Sequence, residues 1–244
     1  MCPPIPRFRF FHVRESRILP DMSYYTPENQ YAAARREMVD RQIRARGIVD
    51  PRVLAAMTEV PRHRFLPRSL WPSAYRDTPL PIGENQTISQ PYIIALMTEA
   101  LELAGRERIL EIGTGVGYQT AILAELGGQV FTIERLPTLA RAARSCLREL
   151  GYGNVETLLG DGTLGLPDQA PFDRILATGC VPRIPPVFKE QLRNGGILVL
   201  PVGGRREQDL LRVRRMGHRF DEERLIPCQF VPLLGQYGWD EPTR

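Results

Sequence analysis

Lysine is almost missing from this 244-residue chain: Lys189 is the only one, and the basic complement of 32 is otherwise arginine. That skew points to no function. The formal charge of +4 is spread along the chain and makes no demand for a nucleic-acid partner. Histidine is scarce as well. With only His12, His63 and His218, a histidine-centred triad or a zinc site lacks the residues it needs, and no metal is expected. Four cysteines (Cys2, Cys146, Cys180, Cys228) stand far apart without histidine at ligand spacing. That argues against a disulfide framework and for reduced thiols in the cytoplasm. No apolar run approaches the ~20 residues that cross a bilayer, so no membrane partner is expected.

What is present is an ordinary globular composition, 43% hydrophobic and 25% charged, in a length that suits one domain with an appendage. Residues 1–37 read as an N-terminal extension, partly disordered in expectation. It is proline-rich at first and then mixes arginine with aromatics (Arg7, Phe8, Arg9, Phe10, Phe11), without helical or strand period. A flexible or packed tail is favoured there over an RNA-stacking one. Neither an unbroken apolar core nor a small-residue cleavage site marks a signal peptide, and Met22 and Met38 leave a later start open. Residues 38–244 read as a single domain: 38–104 as helices and a polar loop, 105–244 as a sheet with C-terminal strands.

The stretch from Arg108 to Glu134 organises that domain. An apolar run (Ile109, Leu110, Ile112) leads into Gly113, Gly115 and Gly117 and then into a helical pattern from Tyr118. Glycines there let the backbone turn through positive φ and let a ligand approach without meeting a Cβ. A second apolar run, Val130 to Ile133, ends in Glu134, where such a unit presents an acid to a ribose hydroxyl. Gly117 follows Gly115 by two residues, not the three of a dinucleotide fingerprint, which weakens a pyrophosphate reading. Glu111 at the strand end would repel phosphate and suit an ammonium or sulfonium. A tight turn with no ligand is the plain alternative.

Elsewhere, apolar spacing predicts a helix from Ala32 to Gly47, and Asp50-Pro51 caps a second through Met57. Prolines at 61, 67, 72, 79 and 81 keep the next segment extended or turning, as a cover over the core. A polar loop, Ile82 to Pro91, precedes a helix from Tyr92 to about Leu103. Ser89 is either the N-cap of that helix or a hydroxyl that grips a carboxylate, and the two readings are compatible. A helix over Pro137–Leu150 follows, then strands at Val155–Leu159, Phe172–Ala177, Gly196–Pro201, Leu210–Met216 and Leu225–Leu234, with a helix at Pro185–Leu192. Asp161-Gly162 fall at a strand's carboxyl end, where open α/β sheets bind ligands. The expected fold is α/β: a Rossmann-like, doubly wound sheet of about seven strands with helices on both faces, plus an N-terminal helical and extended cover.

The E-I-G-T-G-V-G order resembles motif I of class I methyltransferases that use S-adenosyl-L-methionine. From about Met38 to Trp239 the chain resembles the protein-L-isoaspartate O-methyltransferase family, in QIRARGIVDPRVLAAMTEVPRHRFLP, QTISQPYIIALMTE, LEIGTGVGYQTAILA, VFTIER, GDGTLG, APFDRILAT and LRNGGILVLPVG. Of these, QTISQP is the most specific. Glu111, on its charge, is expected among the cofactor-binding residues, and the resemblance implies that Gly113, Thr114, Gly115 and Gly117 line the methionine part of the cofactor. It also implies that Glu134 holds the ribose and that Asp161 and Gly162 meet the adenine edge. Thr87, Ile88 and Ser89 would contact substrate, with Ser89 in the catalytic role. Asn85, where the family usually has glycine, and Thr178-Gly179-Cys180, in place of an alanine-rich turn, are departures expected to narrow the pocket or alter preference.

The implied reaction methylates the free α-carboxylate of L-isoaspartyl residues, with D-aspartyl as a poorer acceptor, and the ester cyclises to a succinimide. Implied partners are isomerised proteins and peptides, with no nucleic acid and a monomeric chain. Three rivals remain: a nucleic-acid or small-molecule methyltransferase, which would want an Asn/Asp-Pro-Pro-aromatic motif where Ala177–Pro182 stands; a nicotinamide oxidoreductase; and a non-catalytic binding protein on the same fold.

Overall fold

The computed structural model describes residues 27–240. The arginine and aromatic cluster, Cys2, His12 and Met22 lie outside the described residues. Helix α1 (Pro27–Met38) begins upstream of the boundary expected at residue 37, and it continues through a π turn and a 3-10 turn to Gly47, where φ is 95°. Tyr31 on α1 stacks on His63 with ring centroids 4.4 Å apart, so this helix packs on the domain.

Helix α2 (Pro51–Glu59) starts where the sequence placed it. Asp50 stays extended and its carboxylate accepts from the amides of Arg52 (2.8 Å) and Val53 (3.4 Å), while Pro51 fills a first-turn position that needs no N–H. Asp50→Ala is therefore expected to lower stability by about 1 kcal/mol. An unchanged urea midpoint would show that these bonds contribute nothing.

The proline-rich cover forms 3-10 turns at Arg62–Phe65 and Arg68–Ser73. Beyond it, strands β1 (Leu80–Gly83) and β2 (Gln86–Ile88) pair as an antiparallel hairpin, a structure the polar-loop reading did not anticipate. Its tip, Glu84 and Asn85, has φ of 52° and 55°, the left-handed pair of a tight two-residue turn. Asparagine tolerates that region almost as glycine does. Asn85 thus replaces glycine at an exposed tip, away from the cleft wall, and does not narrow any pocket.

Helix α3 (Pro91–Ala100) leads into the sheet: β3 (Arg108–Ile112), α4 (Tyr118–Leu126), β4 (Gln129–Glu134), α5 (Pro137–Glu149), β5 (Val155–Leu159), β6 (Phe172–Ala177), α6 (Pro186–Gln191), β7 (Leu192–Gly203), β8 (Gln208–Met216) and β9 (Arg219–Cys228). The seven strands lie in the order β5-β4-β3-β6-β7-β8-β9. Strands β3 to β7 are mutually parallel, and β8 pairs antiparallel with both β7 and β9. Alternation along β3 divides the core. Ile109 faces a cluster with α2, α3 and α4, whereas Leu110 and Ile112 face another closed by Phe188 of α6.

Strand β9 lies earlier than the expected Leu225–Leu234. Its first half is charged (Asp221, Glu222, Glu223, Arg224) and solvent-exposed, as suits the outer strand of a sheet. The apolar run that looked like a strand, Val231 to Leu234, instead crosses back over the end of β6 and bonds to Cys180 there.

Candidate active site

Strand β3 has β4 on one side and β6 on the other, so the chain winds outward to β5 and then returns to the far side of β3. The sheet order reverses there, and a crevice opens outside the carboxyl ends of the strands. The cleft holds about 940 Å³ including its open mouth. Its floor is Gly113 to Val116 after β3; Glu134, Arg135 and Leu136 come from the end of β4, and Thr178 and Gly179 from the end of β6. The opposite wall brings Ile82 and Gln86 to Ser89 from the hairpin, Met97 from α3, and Val231 to Leu234 from the returning C-terminal segment.

The bend after β3 is shaped for close approach. Gly113 has φ of 93°, and a Cβ there would sit 2.4 Å from Thr178 Oγ1, whose hydroxyl donates to the Gly113 carbonyl (2.5 Å). Gly115 has φ of 56° and its amide donates to Glu134 Oε2 (2.8 Å). The Leu136 amide donates to Glu134 Oε1 (2.9 Å). Two amides therefore fix the carboxylate at the cleft edge and leave each oxygen a lone pair for hydroxyl donors. At Gly162, a Cβ would lie 2.6 Å from Ile112 Cγ2, so only glycine lets that turn sit against the end of β3.

Three residues expected to contact the cofactor lie outside the cleft lining. Gly117 is outside the cleft lining. A Cβ on it would meet Leu147 and Ala143 of α5 at 3.1 and 3.3 Å, so it is a packing glycine that also turns the chain into α4 through φ of 93°. Glu111 lies beneath the bend, fully buried. Its Oε2 accepts from Thr120 (2.5 Å) and Thr132 (2.7 Å), and since Thr132 spends its proton on Glu111, Thr114 donates to Thr132 at 2.6 Å. Burial pushes the Glu111 carboxyl up to about 7 against the pull of the two hydroxyls, and the Glu134 charge adds slightly to the rise. Asp161 is outside the cleft lining and borders the adjoining opening with Arg135 and Leu234, both of which also line the cleft. Its oxygens accept from the Thr163 amide (2.9 Å) and hydroxyl (2.7 Å) and the Gln236 amide (2.9 Å), beneath the turn that carries Gly235. Gly113, Thr114, Gly115, Glu134, Gly162, Thr87, Ile88 and Ser89 all share the cleft.

Ser89 does not cap α3. Gln90 holds the N-cap position without a side-chain bond, so the capping alternative is overturned. The departure at Thr178-Gly179-Cys180 divides: Thr178 and Gly179 line the cleft, while Cys180 is buried behind it and ties the returning segment down through Val231 and Leu233. Sequence reasoning missed Arg62, a fully buried guanidinium behind Ser89, because one arginine among so many carries no mark. It also missed Val231 to Leu234 as a wall, having read them as a strand.

Among the described residues, no group of three or more histidine, cysteine, aspartate or glutamate side chains could hold a metal ion. No described helix is long and apolar enough to cross a membrane.

A sequence model of protein-L-isoaspartate(D-aspartate) O-methyltransferase matches residues 33–238. A protein-L-isoaspartate O-methyltransferase of Syntrophus aciditrophicus (strain SB) is 56% identical over 214 residues, covering 86% of this chain and 98% of that protein. A solved protein-L-isoaspartate O-methyltransferase superposes with a TM-score of 0.75 at 28% identity, over 83% of this chain and 67% of that one. The fold is shared with a Plasmodium falciparum structure holding S-adenosyl-L-homocysteine, at a TM-score of 0.71 and 21% identity over 82% and 98% of the two chains. The match runs from the middle of α1 past the C-terminal wall of the cleft, and on that footing the chain belongs to the protein-L-isoaspartate(D-aspartate) O-methyltransferase family.

Proposed function

We propose that this cleft transfers the methyl group of S-adenosyl-L-methionine to the free α-carboxylate of L-isoaspartyl residues in damaged proteins and peptides, and less efficiently to D-aspartyl side chains, with Ser89 positioning the acceptor. The observation that carries the reading is that the hairpin end with Ser89 and the glycine bend face one another across a single cleft.

The residues present fit the cofactor. Gly113 and Gly115 line the cleft without side chains of their own, and Glu134 offers acceptor lone pairs suited to two vicinal hydroxyls. We assign Gly113, Thr114 and Gly115 to the methionine portion, Glu134 to the ribose and Gly162 to the neighbourhood of the base. When bound, the cofactor supplies an electrophilic sulfonium methyl. The acceptor needs no base, because an α-carboxylate is ionised well below neutral pH. The protein's task is alignment and dryness. Thr87 to Ser89 orient the carboxylate, and holding it in line can lower the barrier by several kcal/mol through effective molarity. Ile82, Ile88 and Leu233 give the cleft an apolar surround in which opposite charges, lost on reaction, are poorly solvated.

The partner class on this reading is isomerised protein and peptide, and a single chain supplies every wall of the cleft. Cys146, Cys180 and Cys228 are free thiols, consistent with the reducing cytoplasm that we infer for it.

Ser89→Ala tests the acceptor role. With labelled methyl donor and an isoaspartyl peptide, kcat/KM is expected to fall about tenfold or more, the worth of one hydrogen bond to a charged group. Affinity for S-adenosyl-L-homocysteine should stay within about twofold of wild type. Undiminished turnover would remove Ser89 from the reaction.

A further inference from the structure

Arg62 is fully buried, yet no carboxylate among the described residues pairs with it. Its Nε donates to the Ala74 carbonyl (2.8 Å), one terminal nitrogen donates to the Ser89 carbonyl (2.8 Å), and the other terminal nitrogen, Nη1, has no partner. The guanidinium carbon stands 5.0 Å from the ring centroid of Tyr118, a neutral phenol that itself lines the cleft. Buried ions are ordinarily matched by a counter-charge, because desolvation costs far more than hydrogen bonds to neutral carbonyls return. Burial pulls this guanidinium down to about 10, which still leaves it charged at neutral pH. The protein thus keeps an uncompensated cation directly behind two residues of the cleft wall.

We propose that Arg62 is a positioning residue whose unneutralised charge, set behind Ser89 and Tyr118, makes the acceptor half of the cleft selective for an anionic carboxylate over its neutral amide. This rests on the assignment of Ser89 to the acceptor side. Two consequences of the geometry combine. The bond to the Ser89 carbonyl fixes the backbone of that residue, and the charge lies directly behind the Ser89 backbone in surroundings of low dielectric. There a single unit charge favours an anion appreciably. A scaffold role alone would explain the first consequence but not the missing carboxylate.

The test compares charge with shape within each protein. Enzyme saturated with S-adenosyl-L-homocysteine is titrated at pH 6.5 with an isoaspartyl peptide and with its α-carboxamide (isoasparagine) counterpart, identical but for the charge. Wild type is expected to bind the carboxylate peptide about tenfold tighter. In Arg62→Met the ratio should collapse to about twofold or less, and Arg62→Lys, which keeps the charge but loses the fork, should retain about fivefold. If Arg62→Met does not fold, as judged by its affinity for S-adenosyl-L-homocysteine, Arg62→Gln takes its place with the same expectation. Were Arg62 only a scaffold, both peptides would weaken together and the ratio would survive in every variant, which would overturn the proposal. A wild-type protein without preference would overturn the acceptor-site assignment, and the role of Arg62 with it. A wild-type preference that persists in Arg62→Met would overturn the role of Arg62 alone.

Discussion

Replacing Glu134 by alanine is expected to weaken binding of S-adenosyl-L-homocysteine about a hundredfold or more, measured by isothermal titration. The carboxylate sits at the end of β4 with one oxygen held by the Gly115 amide and the other by the Leu136 amide. Those two bonds leave it one orientation, so its remaining lone pairs are aimed before any ligand arrives and little ordering entropy is lost on binding. Hydrogen bonds to a charged acceptor contribute about 1.5–3 kcal/mol each. Two ribose hydroxyls therefore account for two or more powers of ten, even after water takes the vacated place. Glu134→Gln keeps the shape and one acceptor but loses the charge, and a loss of about tenfold is expected. An alanine variant that binds as tightly as wild type would show that the ribose lies elsewhere, and the cofactor orientation proposed here would have to be reversed along the cleft.

The place of Glu134 at the end of β4 and on the cleft was legible in the sequence because an apolar run must end somewhere, and the end of that strand opens on the crevice of a βαβ unit. The same holds for Gly113 and Gly115, whose positive φ and close contacts follow from residue type and place. Strands β5 and β6 were expected at the residues where they occur, since their ends are set by turn residues next to them in the chain.

What the sequence could not show depends on distant partners. Gly117 has the same type and spacing as its neighbours, but α5 decides its role by packing Leu147 and Ala143 against it. Nothing local to Asp161 showed that the C-terminal turn would place the Gln236 amide on its carboxylate. Strand β9 was hidden because an outer strand needs no apolar alternation, while Val231 to Leu234 were apolar in order to wall a cleft. Arg62 was invisible for a related reason. Its burial without a carboxylate partner among the described residues is set by distant elements, and no local pattern records it.

Glu111 carries the other large expectation, one of stability against pH. Its carboxyl titrates from an ordinary 4.5 in the unfolded chain and from about 7 in the folded protein, where burial opposes the charge. Below the lower value both states hold the proton and Glu111 costs nothing electrostatically. Between the two, the unfolded chain ionises while the folded carboxyl keeps its proton, so stability falls as pH rises; above about 7 the loss is complete. At 1.36 kcal/mol per unit, the total is about 3 kcal/mol. Glu111→Gln removes the ionisation and retains an acceptor for Thr120 and Thr132. It also puts an amide nitrogen where Oε1 now has no partner, at a cost of about 1 kcal/mol. The variant should therefore be slightly less stable than wild type near pH 4 and about 2 kcal/mol more stable near pH 8, with the gap in urea unfolding free energy changing by about 3 kcal/mol across that range. A gap that stays constant with pH would mean that the carboxyl is not forced to ionise in a dry site. Because Thr114 reaches Glu111 only through Thr132, a stabilised Glu111→Gln protein that still binds S-adenosyl-L-homocysteine normally would place this carboxyl beneath the cofactor site as support for the bend and not as a ligand.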